Sequence, residues 1–299
     1  MRVIVFGAGS LGSLVGGLLT RRHEVVLVGR QPHVQAIEGS GLTIAGMVEA
    51  VVVPHATDSI RGLPPGDMVL VTVKSYDTVA ALEAIKPLVT ENTLVVSLQN
   101  GLRNAELVTN AYPGNAVVGV TSLGATMSSP GRVYYAGEGD TYFGTLKGEA
   151  VNAEKVAEAF NSVGLDSYVT KDIMAEVWAK TIINASINPL TALVRCKNGR
   201  ILKDDGLLKV AEMACREGER VAQALGLSLG SEDVFERVKL VLRRTSDNKS
   251  SMLQDLERRK RTEIDEISGE LVLRAEGAGL QAQVNRTLWL LVRSITKYE

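Results

Sequence analysis

Three side chains in the stretch 172–190, DIMAEVWAKTIINASINPL, recur at intervals of four: Lys180, Asn184 and Asn188. At about 3.6 residues per turn, that spacing puts one cation and two amides along a single line of a helix. The rest of the stretch is apolar nearly all round, with Ile173, Val177, Trp178, Ile182, Ile183, Ala185 and Ile187, the pattern of a buried helix. A buried charge needs hydrogen-bond partners or water, so the line is either a solvated stripe on a core helix or one wall of a cleft. The scarcity of other polar residues on the helix favours the cleft wall. A lysine, with an ordinary pKa of about 10.4, is protonated at neutral pH and can give a proton to an oxygen that gains charge when a hydride adds to a carbonyl carbon. Pro189, which lacks an N–H and clashes with the preceding turn, is expected to bend or end the helix.

The N-terminus supplies a second constellation. Val3–Phe6 is a short apolar run, followed by Gly7-Ala8-Gly9-Ser10-Leu11-Gly12, a helix-like stretch Ser13–Arg21 and a second apolar run Val25–Val28. This is strand, tight turn, helix and strand with G-x-G-x-x-G in the turn. Gly7 permits the turn, Gly9 lets backbone N–H groups approach a pyrophosphate, and Gly12 lets helix and strand pack closely. The helix N-terminus adds partial positive charge. An NAD site has Asp or Glu at the end of the second strand for the ribose 2′-OH. Here the strand ends Val28-Gly29-Arg30-Gln31, with no acid. Arg30 suits a 2′-phosphate instead, so the expected cofactor is NADP (NADPH).

Further strands are expected at Asp67–Val73, with Lys74 at its carboxyl end, and at Thr93–Leu98, followed by Gln99-Asn100-Gly101. Ligands bind outside the carboxyl ends of strands in open parallel sheets, which puts Lys74 and Asn100 on the cofactor side; a solvating lysine and a turn asparagine are the plainer alternatives. Leu42–Ile44 with Val48–Val53 resembles a hairpin or edge pair, and Val117–Val120, Arg132–Tyr135 and Thr141–Phe143 continue as strands. From Lys171 onward helical periodicity takes over. The fold class is an α/β N-terminal Rossmann domain, doubly wound with a mostly parallel sheet, over 1–169, followed by an all-α domain over 170–299. Within the second half, helices are expected over 204–225, 231–244 and 251–276, the last with Ser251 as N-cap of a Ser251–Gln254 capping-box pattern. Leu256, Glu263 and Ile267 then share a face, which makes Glu263 a carboxylate on an apolar stripe; a pair with Arg259 or Lys260 would explain it structurally.

Composition narrows the function. A net charge of −1 and an aromatic content of 4% give no reason to expect a nucleic-acid partner. No uninterrupted apolar run reaches the length of a membrane span. The two cysteines, Cys196 and Cys215, form no metal or disulfide framework, which suits a reducing, cytoplasmic setting. All three histidines, His23, His33 and His55, lie in the first 55 residues, so proton chemistry in the helical half falls to Lys, Glu or Asp. There is no nucleophile elbow, P-loop or zinc motif.

Over essentially the whole chain the sequence resembles the ketopantoate reductase (2-dehydropantoate 2-reductase) family. The resemblance rests on GAGSLG at 7–12, VGR at 28–30, VKSYD at 73–77, LQNG at 98–101, KTIINASINPLTAL at 180–193, KNG at 197–199 and NKSSMLQDLERRKRTEID at 248–265. It implies NADPH-dependent reduction of the 2-dehydropantoate ketone to (R)-pantoate, on the way to pantothenate and coenzyme A. By that resemblance Lys180 is the general acid and Glu263 supports it or holds the substrate hydroxyl. Asn100, Asn184 and Asn188 fix substrate and nicotinamide amide groups, Asn198 and Ser251 contact the substrate, Lys74 lines the nicotinamide side, and Arg30 binds the 2′-phosphate. The implied partner is a small 2-oxo acid, with the chain a monomer or homodimer. Two other readings stay open: a β-hydroxyacid dehydrogenase, which shares the Lys-x-x-x-Asn spacing, and a non-catalytic NADP(H) sensor, which would need neither Lys180 nor Glu263.

Overall fold

Strands buried on both faces must be apolar throughout, and Val3, Ile4 and Val5 of β1 (Arg2–Phe6) have no exposed surface. In a computed structural model describing residues 1–298, β1 lies between two parallel neighbours, β2 (Glu24–Val28) on one side and β6 (Met68–Val71) on the other. The chain forms two compact units: Met1–Gln99 with Asn104–Ile173, and Asn100–Arg103 with the chain from Met174 onward.

The first unit holds an eight-stranded sheet in the order β12-β11-β8-β7-β6-β1-β2-β5. Its remaining members are β5 (His55–Thr57), β7 (Leu94–Ser97), β8 (Ala116–Thr121), β11 (Thr141–Gly144) and β12 (Ser167–Val169). All its pairings are parallel except β8 with β11. Strand order reverses at β1, the place where such sheets open a crevice for a ligand. Helices α1 (Ser10–Leu19), α2 (Gln31–Ser40), α3 (Thr78–Ala84), α4 (Leu102–Ala111) and α5 (Ala150–Asn161) connect the strands. Leu14, Val15, Leu18 and Leu19 of α1 join Val3, Val5, Val25 and Leu27 in one apolar cluster. A second, four-stranded sheet runs β4-β3-β10-β9, with β3 (Leu42–Gly46), β4 (Ala50–Val52), β9 (Gly124–Ser129) and β10 (Arg132–Gly137). The expected hairpin at 42–53 is its β3–β4 pair, and Arg132–Tyr135 belongs to this sheet rather than to the main one.

The second unit is built from α6 (Ile173–Val194), α7 (Asp205–Ala224), α8 (Val234–Arg244), α9 (Ser251–Glu257), α10 (Glu270–Gly277) and α11 (Gln283–Tyr298). Asp204 caps α7 by accepting from Leu207 N–H at 3.2 Å, and Asp233 caps α8 by accepting from Phe235 N–H at 2.7 Å. One expectation is narrowed and one is corrected. Pro189 does not end α6, which continues to Val194: Leu190 and Ala192 are buried there, and the Thr191 hydroxyl bonds Ser250 Oγ at 2.7 Å, so tertiary contacts outweigh the one backbone bond that proline removes. The segment 251–276 is not one helix. It breaks after Glu257, passes through Arg259 at a positive φ of 52°, and re-forms through a π-type turn at Asp265–Gly269 before α10. Thr262, Glu263 and Ile264 are buried in the break, so Glu263 is placed by this turn and not by a stripe shared with Leu256.

Candidate active site

In the first unit, the three glycines of the turn after β1 answer to different constraints. Gly7 has φ +111°, and a Cβ there would lie 2.6 Å from Val73 N; only glycine fits. A Cβ on Gly12 would lie 2.5 Å from both Gly7 O and Thr72 Oγ1, in a junction locked by the Thr72 hydroxyl donating to Gly7 O at 2.8 Å. Gly9 is the exception: its Cβ would meet nothing nearer than Gly7 O at 3.9 Å, and the residue is exposed. The protein's own packing gives no reason for glycine at that position, whereas the approach of a ligand does. The N–H groups of Ser10, Leu11 and Gly12 open α1, where a helix has no acceptors of its own. Together with the clear space over Gly9 they form a cradle for a phosphate group. Ala8 is buried against Gly29, where a Cβ would come within 2.9 Å of Ala8 Cβ. Ser10 Oγ accepts from Met127 N–H at 2.9 Å and so ties the start of α1 to β9.

Arg30 lies two residues after the end of β2, is exposed, and is the N-cap residue of α2. No carboxylate stands at the end of β2. Lys74 is half-buried in the loop after β6, two residues beyond the Thr72 that clasps the glycine turn. The glycine turn and the Lys74 loop therefore leave adjacent strands at the point where strand order reverses.

In the second unit, Lys180 and Asn184 are half-buried and Asn188 is buried at successive turns of α6. Burial pulls the Lys180 ammonium down to about 8, and the negative charge of Glu263 opposes that fall. Glu263 is itself buried, so the structure brings together the cation and the carboxylate that the sequence offered singly. Asn198 is buried; its Nδ2 donates to Thr245 Oγ1 at 2.9 Å, and its Oδ1 is a buried acceptor without a protein partner. Asn100 groups with this unit. Its neighbour Gly101 (φ +91°) packs so closely on the π-type turn that a Cβ would sit 2.8 Å from Glu266 O.

The N-cap assignment of Ser251 is corrected: Ser250 caps α9, accepting from Leu253 N–H at 3.2 Å, and Ser251 is the exposed first residue of the helix. The capping-box pattern points to Ser251 because Gln254 lies three residues on, but it is Ser250 that is buried and bonded to Thr191. Sequence reasoning also passed over Glu266. Burial raises its carboxyl pKa, and its Oε2 is buried without a partner; an i, i+3 spacing from Glu263 was its one signal. Among the described residues, no group of three or more His, Cys, Asp or Glu is placed to hold a metal ion, and no helix is long and apolar enough to cross a membrane.

A parallel sheet with an open glycine turn at its switch point, joined to a helical unit that presents an acidified lysine, defines an oxidoreductase of the dinucleotide-binding class. The family model described as "Ketopantoate reductase PanE/ApbA" matches residues 3–148, and its C-terminal counterpart matches residues 172–296. The chain belongs to the ketopantoate reductase family. It is 41% identical over 296 residues to the 2-dehydropantoate 2-reductase of Pyrococcus horikoshii, covering 98% of this chain and 97% of that one. The crystal structure of a PanE/ApbA family ketopantoate reductase from Ralstonia eutropha JMP134 superposes with a TM-score of 0.92 at 33% identity, over 99% of both chains. A D-mandelate dehydrogenase with NADH and anilino(oxo)acetate shares the fold, with a TM-score of 0.93 at 23% identity over 99% of both chains.

Proposed function

We propose that the protein reduces the ketone of 2-dehydropantoate to (R)-pantoate with NADPH, on the route to pantothenate and coenzyme A, and that Lys180 is the proton donor. The observation that carries this is the Lys180–Glu263 pair: a lysine brought to about 8 by burial and kept from falling further by a buried carboxylate. Residues 1–169 are assigned to cofactor binding and 170–299 to substrate binding and catalysis. When bound, NADPH supplies the hydride that adds to the ketone carbon. As the carbonyl π bond opens, its electron pair moves to oxygen, and that oxygen takes a proton from Lys180 Nζ. A donor with pKa near 8 is mostly protonated at neutral pH and is a stronger acid than an ordinary lysine. Glu263 keeps the ammonium charged between turnovers, and solvent returns the proton.

Asn184 and Asn188, on the same line of α6, orient the substrate through their amides. Asn198 Oδ1, buried and without a protein partner, accepts from a substrate hydroxyl, and Ser251 offers its exposed hydroxyl to the carboxylate. Lys74 and Asn100 serve the nicotinamide side. The backbone at Gly7, Ala8, Gly9, Ser10, Leu11 and Gly12 holds the pyrophosphate, and Arg30 pairs with the 2′-phosphate, a preference supported by the missing acid at the end of β2. A reducing cytoplasm suits the two free cysteines.

The test is loss of NADPH absorbance with 2-dehydropantoate, with NADH as the comparison and Arg30→Ala as the variant. NADPH should be preferred, and Arg30→Ala should lower that preference by about tenfold, as expected for one lost charge-assisted contact. Equal use of both cofactors by the native protein would overturn the NADPH assignment.

A further inference from the structure

His33 is a buried imidazole in the first unit that takes no part in the chemistry above. It lies one turn into α2, three residues after Arg30, where the other buried side chains, Val34 and Ile37, are aliphatic. Its Nδ1 accepts the Gly131 N–H at 2.9 Å, so the proton of the neutral ring is on Nε2, which donates to Ser13 Oγ at 2.9 Å. Both ring nitrogens are therefore committed in one defined tautomer.

The two partners belong to the elements that build the cofactor cradle. Ser13 lies in the second turn of α1, the helix that opens at Gly9–Gly12, and is itself fully buried. Gly131 forms the turn between β9 and β10, and β9 is already fastened to Ser10 through Met127 N–H. Gly131 also approaches α2 directly: with φ +73°, a Cβ there would lie 2.9 Å from Ala36 Cβ. On the other side, the backbone N–H groups of His33 and Val34 donate to the Arg30 carbonyl at 2.9 and 3.1 Å. The backbone that carries the imidazole is thus bonded directly to that of Arg30. An aliphatic residue would fill the space but would leave the buried Gly131 N–H and the Ser13 hydroxyl without partners.

We propose that His33 is a positioning residue for the 2′-phosphate site, clamping α2, and with it Arg30, to the glycine-turn helix α1 and to the Gly131 turn. This rests on the assignment of Arg30 to the 2′-phosphate of NADP. It predicts a selective defect: the 2′-phosphate contact loosens while the pyrophosphate cradle, made by the glycine turn and the start of α1, is retained.

The experiment is calorimetric titration of the full chain with NADP⁺ and with NAD⁺, for the native protein and for His33→Leu, His33→Asn and Arg30→Ala. His33→Leu should weaken NADP⁺ about tenfold relative to NAD⁺, the size expected when one hydrogen-bonded contact loses its geometry. In His33→Asn the side-chain oxygen occupies the Nδ1 position and can still accept from Gly131, so most of the NADP⁺ preference should return. This second variant also carries the test if His33→Leu does not fold. While Arg30→Ala lowers the NADP⁺ preference, equal weakening of both dinucleotides, or none, in His33→Leu, or a loss of preference in His33→Asn as large as that in Arg30→Ala, would overturn the proposal alone. A preference unmoved by Arg30→Ala would remove the 2′-phosphate assignment and the proposal with it.

Discussion

Replacing Glu263 by glutamine keeps the side chain's size and removes its charge, which isolates what that charge does to Lys180. Burial lowers the lysine to about 8 and the charge of Glu263 opposes that fall; without the carboxylate that opposition is lost. An opposite charge close to an ionisable group shifts it by about 1–3 units, so the variant's lysine should titrate at about 7 or below. With a pKa of about 8, the ammonium is roughly three-quarters protonated at pH ~7.5 and about a tenth protonated at pH ~9; one unit lower, those fractions fall to about a quarter and a hundredth. The assay is the initial rate of 2-dehydropantoate reduction from pH ~6 to ~9.5, analysed as kcat/KM, which reports groups of the free enzyme. The native profile should fall through about 8, because the acid form is the reactive one, and the oxidation of pantoate should rise through the same region. In Glu263→Gln the falling limb should move to lower pH by about one unit, whatever happens to the height of the plateau. A limb that stays in place, or moves to higher pH, would refute the coupling of Glu263 to Lys180.

The glycine turn gives a contrast between stability and binding. Gly9→Ala should leave the melting temperature nearly unchanged, since its Cβ meets nothing nearer than 3.9 Å, but should weaken dinucleotide binding about tenfold or more. Gly7→Ala, at φ +111° with a Cβ 2.6 Å from Val73 N, should destabilise the fold by roughly 2 kcal/mol or more in chemical denaturation. Lys180 leaves a signature in stability against pH. Its folded pKa is depressed, so between about 8 and 10.5 the unfolded chain holds the extra proton and stability rises with pH; relative to Lys180→Met, the native protein should gain about 3 kcal/mol across that window, at ~1.4 kcal/mol per unit. Away from the site, the buried Glu217 carboxylate accepts from the backbone N–H groups of Val284 and Asn285 and from Asn285 Nδ2, at 2.9, 2.9 and 3.0 Å, at the start of α11. Glu217→Ala should lower the unfolding free energy by about 3 kcal/mol by leaving these donors unpaired, with Glu217→Gln losing less.

Some of this architecture is visible in the sequence because the constraint is local. The turn at Gly7–Gly12 requires glycine for reasons written into backbone sterics, and the strands around it are apolar because both faces are covered. The Lys180–Asn184–Asn188 line follows from helical period alone. Other features depend on contacts that no periodicity encodes. The run Arg258–Arg261 has good helix formers and no Gly or Pro, so nothing local announces the break that buries Glu263. Burial of Ser250 against Thr191, not the capping-box spacing, decides which serine caps α9. Strand β9 has no buried residue and so no alternation to read, which hid the second sheet. The approach of Gly101 to Glu266 joins residues 165 positions apart, beyond the reach of any pattern.

The most direct test of the central assignment is single-turnover reduction of 2-dehydropantoate by the NADPH-loaded protein at pH ~7, for the native chain and for Lys180→Ala. Loss of a positioned general acid should slow the hydride-transfer step by about 10²–10⁴-fold with NADPH affinity nearly unchanged. A variant that transfers hydride at the native rate would contradict the account.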